Sequence, residues 1–384
     1  MVHKTAFRTA FCLSVHAGYL CRHAGACCTA GWAIPVEGPV FERLRVHFGG
    51  GSRQEHRFAT GGPLPDGAAA VLAIQKSGAC VFFEEDRGNL CAVHRELGAE
   101  WLPAACRQFP RVVLQDARGM LISLSHFCPT AAGLLLGSPW APAFEIVHAP
   151  GTLSLEGDVE GLDARDALPP LLRPGMLTDH EGYDRWERRA IGVLAREDLT
   201  AEQALRLLET ATRAVQSWRP GAVSLRETVD REFDVASAGK PDEDRDGKDR
   251  DGNGLDGNDL DRNSARVRLA LSSVPQGLPR PPLVDGFGAG WQGVSAWWDE
   301  FDGAVRGYLA ARLFGNWVAY YGQGLHAIVE YLQVALAVVK MEAVRHHARE
   351  APSSPWQTVT EAVRNADLLL VHLSDTKTLS RRLG

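Results

Sequence analysis

Residues 21–32 read Cys21-Arg-His-Ala-Gly-Ala-Cys27-Cys28-Thr-Ala-Gly31-Trp32, and this stretch determines how the first third of the chain is organised. Two adjacent thiolates can reach one metal centre only from an irregular loop, and Gly25 and Gly31 give the backbone that freedom. A direct disulfide between Cys27 and Cys28 would be strained. The stretch therefore predicts an irregular segment built around sulfur.

The cysteines are confined to the first third of the 384-residue chain. They are Cys12, Cys21, Cys27, Cys28, Cys80, Cys91, Cys106 and Cys128. Thiolates are soft ligands that suit zinc or iron–sulfur clusters, and a reducing cytoplasm favours metal binding over structural disulfides. Buried reduced thiols and disulfides remain alternatives. We predict that all eight cysteines bind metal, either a [4Fe–4S] cluster or zinc, because no Cys-x2-Cys knuckle is present to decide between them.

Composition limits the remaining function classes. Hydrophobic residues make up 45% of the chain, which is enough for a real core without disulfide cross-links. The net charge of -6 gives no basic surface for nucleic acid. No apolar run reaches the length of a membrane span, and the first twenty residues lack the apolar core of a secretory signal. We therefore expect a cytoplasmic protein that binds neither nucleic acid nor membranes.

The sequence predicts two parts, residues 1–140 and 141–384. In the first, apolar spacing predicts a helix over 90–102, and Met120-Leu-Ile-Ser-Leu-Ser125 predicts a short strand. In the second, helical spacing dominates, and Ser354-Pro355 begins a last helix. Residues 239–265 are almost wholly polar and predict a disordered insertion.

The expected fold class is mainly α. It consists of an irregular, cysteine-rich, metal-binding N-terminal part with little strand, followed by an all-α helical bundle. Two further patterns support the bundle. Thr200 and Gln203 form a capping box. Apolar residues at helical spacing over 314–339 predict two helices separated at Gly322 and Gly324.

Positive charge lies close to the sulfurs in sequence. Arg107 and Arg111 follow Cys106 closely, so we predict that they balance thiolate charge as cofactor-binding residues; the alternative is an ordinary arginine at the edge of the core. His94 and His126 are weaker candidates for metal ligands or for donors beside them. No catalytic residue can be assigned from the sequence.

Four segments together resemble the flagellin lysine-N-methylase family, within a wider group of zinc- or iron-chelating proteins with eight cysteines. The matching segments are Cys21–Trp32; Gly78–His94; Leu97–Arg111, which carries Cys106-Arg107-Gln-Phe-Pro110-Arg111; and Ser123–Ala132, which carries Cys128-Pro129-Thr-Ala-Ala132. A similar but less diagnostic stretch is Arg364-x-x-Asp367-Leu-Leu-Leu-x-His372.

The resemblance implies a cysteine cluster that holds iron–sulfur or zinc, joined to a helical C-terminal part. For flagellin methylases it also implies methyl transfer from S-adenosylmethionine to lysine amines of flagellin or a similar protein. The alternative is a non-catalytic, metal-chelating cysteine-cluster protein. A scaffold with inert thiols is a third, weaker reading.

Overall fold

Short strands and short helices build the cysteine-bearing first third of the chain. The computed structural model describes residues 9–48, 57–60, 64–65, 67–137, 144–153, 159–239, 257–276, 278, 280–282, 287–348 and 354–383. The strands are β1 (Ala10–Leu13), β2 (Pro35–Glu37), β3 (Phe58–Ala59), β4 (Ala68–Leu72), β5 (Phe83–Glu84), β6 (Leu90–Cys91), β7 (Arg111–Asp116), β8 (Gly119–Leu124), β9 (Ile146–His148), β10 (Leu162–Asp163), β11 (Leu171–Arg173) and β12 (Met176–Leu177). The expectation of little strand in this part is therefore corrected.

The largest sheet has the strand order β10-β7-β8-β1-β9. Its centre is the β7–β8 hairpin, in which Arg111 pairs with Leu124 and Asp116 with Gly119. Strand β1 lies parallel to β8, with Ala10 opposite Met120. Strands β9 and β10 follow residue 140 in the chain, so this sheet joins segments on both sides of the predicted boundary.

Helices dominate the rest of the molecule, which agrees with the mainly-α prediction. The expectation that residues 141–384 are all-α is wrong, because β9 to β12 lie within this part. The first six are α1 (Ser14–Ala17), α2 (Ala26–Thr29), α3 (Gly38–Phe48), α4 (Ala92–Leu97), α5 (Ala104–Gln108) and α6 (Pro129–Leu136). The others are α7 (His180–Leu194), α8 (Ala201–Val215), α9 (Leu225–Ala238), α10 (Gly257–Ser272), α11 (Phe287–Trp298), α12 (Asp302–Leu313), α13 (Val318–Tyr321), α14 (Leu325–His347), α15 (Pro355–Asp367) and α16 (Thr376–Arg382), with a π-helical turn at Leu368–Leu373. Helix α14 is almost wholly buried and packs against α8, α10, α11 and α15.

Several local predictions are confirmed. The capping boxes at Thr200 and Ser354 begin α8 and α15. The break near Gly322 and Gly324 separates α13 from α14. The strand predicted from Met120 is β8.

Two local predictions differ from the structure. The helix predicted over 90–102 is divided into β6, α4 and the 3-10 turn Ala99–Trp101. Gly98 ends α4 at φ 93°, a left-handed value that a continuing helix cannot contain. Of the insertion predicted over 239–265, residues 240–256 lie outside the described residues, and from Gly257 onward the chain forms α10.

One hydrophobic core extends from Leu13 to Leu383 and joins the large sheet to the helices. A second core beneath the β2–β4–β3 sheet includes Cys28 and Cys80. Within the described ranges, no helix combines the length and the apolar composition needed to cross a bilayer.

Candidate functional site

Seven of the eight cysteines line one cavity of about 300 Å³, called here the thiol cavity. They are Cys21, Cys27, Cys28, Cys80, Cys91, Cys106 and Cys128. All eight cysteines of the chain are free thiols, so the disulfide alternative is absent from this structure. Cysteines up to about 107 positions apart in sequence thus line one cavity. The clustering of cysteines in the sequence predicted that they would meet, but not how they are arranged.

The turn that carries Cys27 and Cys28 is fixed by a glycine. Gly25 precedes α2 with φ 73°. A Cβ atom at this position would lie 2.9 Å from the ring of Phe83 and 3.2 Å from the carbonyl oxygen of Asn89. Both the backbone conformation and the close approach therefore require glycine here.

Three separate elements bring the next cysteines to this turn. Cys80 donates its backbone N–H to the carbonyl oxygen of Cys28 at 2.6 Å. Cys91 ends β6 and precedes the first residue of α4, while Cys106 lies within α5. The cysteines are thus carried by separate short elements of the chain, and their side chains line the same cavity.

The sulfurs of Cys27 and Cys28 lie 4.0 Å apart. Two thiolates bound to one tetrahedral zinc at about 2.3 Å are about 3.8 Å apart, so this pair is already close to a ligand spacing. The hydrogen bond with Cys28 lowers the pKa of the Cys27 thiol, and it lowers the pKa of Cys91 to about 7. The pKa of Cys28 is raised, first by its hydrogen bonds to these two sulfurs. Cys28 thus hydrogen-bonds to the sulfurs of both Cys27 and Cys91.

Burial has the largest effect on the pKa of the other two deep thiols, Cys80 and Cys106. Burial raises the pKa of Cys80 to about 12 and holds that of Cys106 well above its usual range. The charges of Cys27 and Cys91 raise the pKa of both thiols further, so the four sulfurs lie close enough to affect one another. Metal binding would deprotonate the cysteines that become ligands and so release protons from this group.

Cys12 differs from the other seven cysteines in its surroundings. It is fully buried on β1, in a small apolar cluster with Tyr19 and Cys128, and it does not line the thiol cavity. Burial raises its pKa to about 11. At the edge of the cavity, the Tyr19 hydroxyl lies 3.8 Å from the Cys128 sulfur.

Arg107 and Arg111 both line the thiol cavity. Arg107 donates from Nη1 to the carbonyl oxygen of Leu102 at 2.9 Å. Arg111 donates from Nε to Leu153 at 3.0 Å and from Nη2 to Thr152 at 2.7 Å. Nη1 of Arg111 makes no hydrogen bond to any described residue. The structure therefore places both arginines at the predicted site.

The two candidate histidines occupy different places. His94 lines the thiol cavity, and its ring lies 5.1 Å from that of His23, which also lines it. His126 points elsewhere: its Nε2 lies 3.2 Å from Nε2 of the buried His16. Burial lowers the pKa of both His16 and His126, and both side chains lie in the interior.

C-terminal residues hold the loop that carries Cys128. Asp367 accepts from the Ser125 hydroxyl at 2.8 Å and from the His126 backbone N–H at 2.7 Å. Arg364 donates to the Phe127 carbonyl oxygen at 3.1 Å. Asp367 also pairs with buried Arg312 at 3.2 Å. The stretch from Arg364 to His372, noted above for its similarity to the family, thus contacts the loop beside the last cysteine.

A second cavity of about 270 Å³, called here the aromatic cleft, adjoins the thiol cavity. The two share the lining residues Cys27, Ile34, Cys106, Phe109 and Arg111. Trp32 lines the aromatic cleft, with its ring 4.4 Å from that of His372 and 5.5 Å from that of Phe109. Glu160 also lines the aromatic cleft. Sequence reasoning did not identify Glu160, which carries no local motif, whereas Trp32 and His372 lay within quoted motifs.

Glu160 reaches the cleft because its backbone is anchored. Gln108 accepts from the backbone N–H of Glu160 at 2.8 Å and donates to its carbonyl oxygen. Among the described residues, the Glu160 carboxylate has no hydrogen bond or ion pair. Partial burial raises its pKa; Glu37 raises it further, and Arg107 opposes both effects.

The donor set of the thiol cavity fits a thiophilic metal centre in its chemistry and its location. Soft sulfur ligands are what zinc and iron–sulfur clusters require. Yet no group of three or more His, Cys, Asp or Glu side chains within the described part of the chain stands in an arrangement that could hold a metal ion. Binding would therefore need the sulfurs to draw together from their present positions.

Comparisons with protein-family models, with curated proteins and with solved structures gave no match to this chain.

Proposed function

We propose that this protein binds an iron–sulfur cluster or zinc in the thiol cavity and acts as a protein-lysine N-methyltransferase that uses S-adenosylmethionine. The observation that carries the first half is the gathering of seven cysteines on one cavity. The second half is supported by the motif resemblance and by the aromatic cleft, which adjoins the sulfurs and opens a place for an organic ligand.

Cys27, Cys28, Cys80, Cys91 and Cys106 are the residues that would hold the centre, because they are linked by hydrogen bonds or by their mutual electrostatic effects. When bound, such a centre supplies a cross-link between the loops and a Lewis-acidic metal atom. Arg107 and Arg111 would offset the negative charge of the thiolates.

Metal binding is tested by purifying the full chain without oxygen. We expect iron with acid-labile sulfide and visible absorbance, or about one zinc per chain without colour. Protein that is colourless and free of both metals would contradict the proposal and would leave the scaffold with inert thiols.

Methyl transfer is tested on the metal-loaded protein with labelled S-adenosylmethionine and flagellin. We expect label on lysine side chains, and none when the flagellin lysines have been blocked by acetylation. Metal-loaded protein that neither transfers methyl groups nor binds S-adenosylmethionine would leave the alternative, a non-catalytic chelating protein.

A further inference from the structure

The lining of the aromatic cleft includes two side chains of opposite charge, Arg111 and Glu160. Arg111 lies in the wall shared with the thiol cavity, and Glu160 is exposed in the lining of the cleft. Trp32 and Phe109 supply the aromatic surface between the cleft and the protein interior. A ligand that satisfies all of these groups carries an anion, a cation and an apolar or aromatic body.

Each charged group has bonding capacity left over. Two of the three guanidinium nitrogens of Arg111 are bonded to the carbonyl oxygens of Leu153 and Thr152, which fixes the side chain and leaves Nη1 as an available donor. The Glu160 backbone is fixed by Gln108, and its carboxylate pairs with no described side chain. A guanidinium group held in this way loses little freedom when it binds a ligand.

We propose that the aromatic cleft binds the S-adenosylmethionine of the proposed methyl transfer, with its carboxylate at Arg111, its ammonium group at Glu160 and its sulfonium and base against Trp32 and Phe109. The inference rests on the proposed function and adds the location of its methyl donor. Aromatic faces attract organic cations such as a sulfonium, and they stack on planar bases.

The charge pattern favours this ligand over an acceptor lysine in the same cleft. A lysine side chain offers a cation alone, and Arg111 would oppose it across the cleft. The volume of the aromatic cleft agrees with a ligand that extends beyond it. A volume of about 270 Å³ lies near the lower end of the ~300–1,000 Å³ typical of ligand pockets, and five shared lining residues connect the cleft to the thiol cavity.

The test is calorimetric titration of metal-loaded, full-length protein with S-adenosylmethionine, S-adenosylhomocysteine and N-acetyl-lysine methylamide. Glu160→Gln removes the partner of the ammonium group and should weaken both adenosyl ligands about tenfold. Trp32→Phe reduces the aromatic surface and should weaken the sulfonium compound more than the uncharged thioether. The matched control is Glu300→Gln, an exposed glutamate in the turn Asp299–Phe301 outside both cavities, which should bind as the unaltered chain does.

Metal content and visible spectrum are measured for every variant, so that a lost centre is not mistaken for a lost ligand contact. Equal affinity of the unaltered chain, Glu160→Gln and Trp32→Phe for S-adenosylmethionine would overturn the inference while leaving methyl transfer intact. The inference also fails if Glu160→Gln weakens only the lysine compound, which would make the cleft the acceptor site. Absence of S-adenosylmethionine binding to the unaltered chain would instead remove the proposed function itself.

Discussion

At the scale of single residues, the structure separates Cys12 from the other seven cysteines. Replacing Cys27 and Cys28 together by alanine should abolish metal binding, because their sulfurs lie 4.0 Å apart and Cys28 also hydrogen-bonds to Cys91. Cys12→Ala should retain the metal, since Cys12 lies outside the thiol cavity. Elemental analysis and the visible spectrum measure both. Equal metal loss in the two variants would show that all eight cysteines act together, as the sequence predicted.

Asp367 and Arg312 form a buried ion pair beside the Cys128 loop. Asp367→Asn should lower the free energy of unfolding by about 3 kcal/mol, because it leaves the Arg312 charge buried without its partner. Urea titration measures the loss. Adding Arg312→Met to this variant should cost less than the sum of the two single changes; strict additivity would mean that the pair is not coupled.

His372 gives the molecule a dependence on pH. Burial lowers its pKa to about 4; Asp367 opposes this shift and Arg312 adds to it. An unfolded histidine takes up its proton near pH 6.5, so the unfolded chain binds more protons between about pH 6.5 and 4. Stability should fall as the pH drops through this window and level off for this group below about 4.

Comparing the unaltered chain with His372→Gln by urea titration isolates that contribution. Between pH 7 and 4.5 the unaltered chain should lose about 2 kcal/mol more than the variant does. Parallel curves for the two proteins would contradict the assignment.

At the scale of elements, the α2 turn depends on Gly25. Gly25→Ala must adopt φ 73° and also displace the Phe83 ring or the Asn89 carbonyl group. Gly88→Ala is a matched control, because Gly88 has φ 80° but no neighbour within 4 Å of an added Cβ. We expect Gly88→Ala to cost about 1 kcal/mol and to keep its metal.

Gly25→Ala should cost more than this control and should also lose metal, because the turn carries two of the proposed ligands. Thermal unfolding and elemental analysis compare the two variants. Full metal retention by Gly25→Ala would show that the turn tolerates rearrangement.

Sequence reasoning succeeded where the physical cause is local. The capping box of Ser354 and Gln357 satisfies backbone N–H groups at the start of its own helix. Gly322 and Gly324 interrupt a helix through their own low helix propensity, which does not depend on distant contacts. It failed at Gly98, where a left-handed backbone ends a helix that apolar spacing alone would continue.

The aromatic cleft could not be predicted, because its parts are distant in sequence. Glu160 enters through hydrogen bonds with Gln108, which lies 52 residues earlier. Trp32 meets His372 only because the C-terminal helices pack beside the cysteine-bearing part. Hydrophobic periodicity predicts which face of a helix or strand is buried, but it does not predict which distant element packs against that face.

At the scale of the whole molecule, the large sheet decides whether residues 1–140 can stand alone. A fragment of these residues lacks β9 and β10 and also lacks the helices that cover the apolar side chains of β7 and β8. We expect such a fragment to be unfolded by circular dichroism and hydrogen exchange, and to bind metal weakly. A folded fragment with full metal content would establish an independent first domain.

The separation of 242 positions between Ser125 and Asp367 has a consequence for biosynthesis. The loop that carries Cys128 emerges from the ribosome long before the carboxylate that holds it has been made. Until then the hydrogen bonds from Ser125 and from the His126 backbone to Asp367 are missing. The thiol cavity therefore reaches its final shape only after Asp367 has been synthesised, and a cellular metal donor would meet the finished arrangement only after that point.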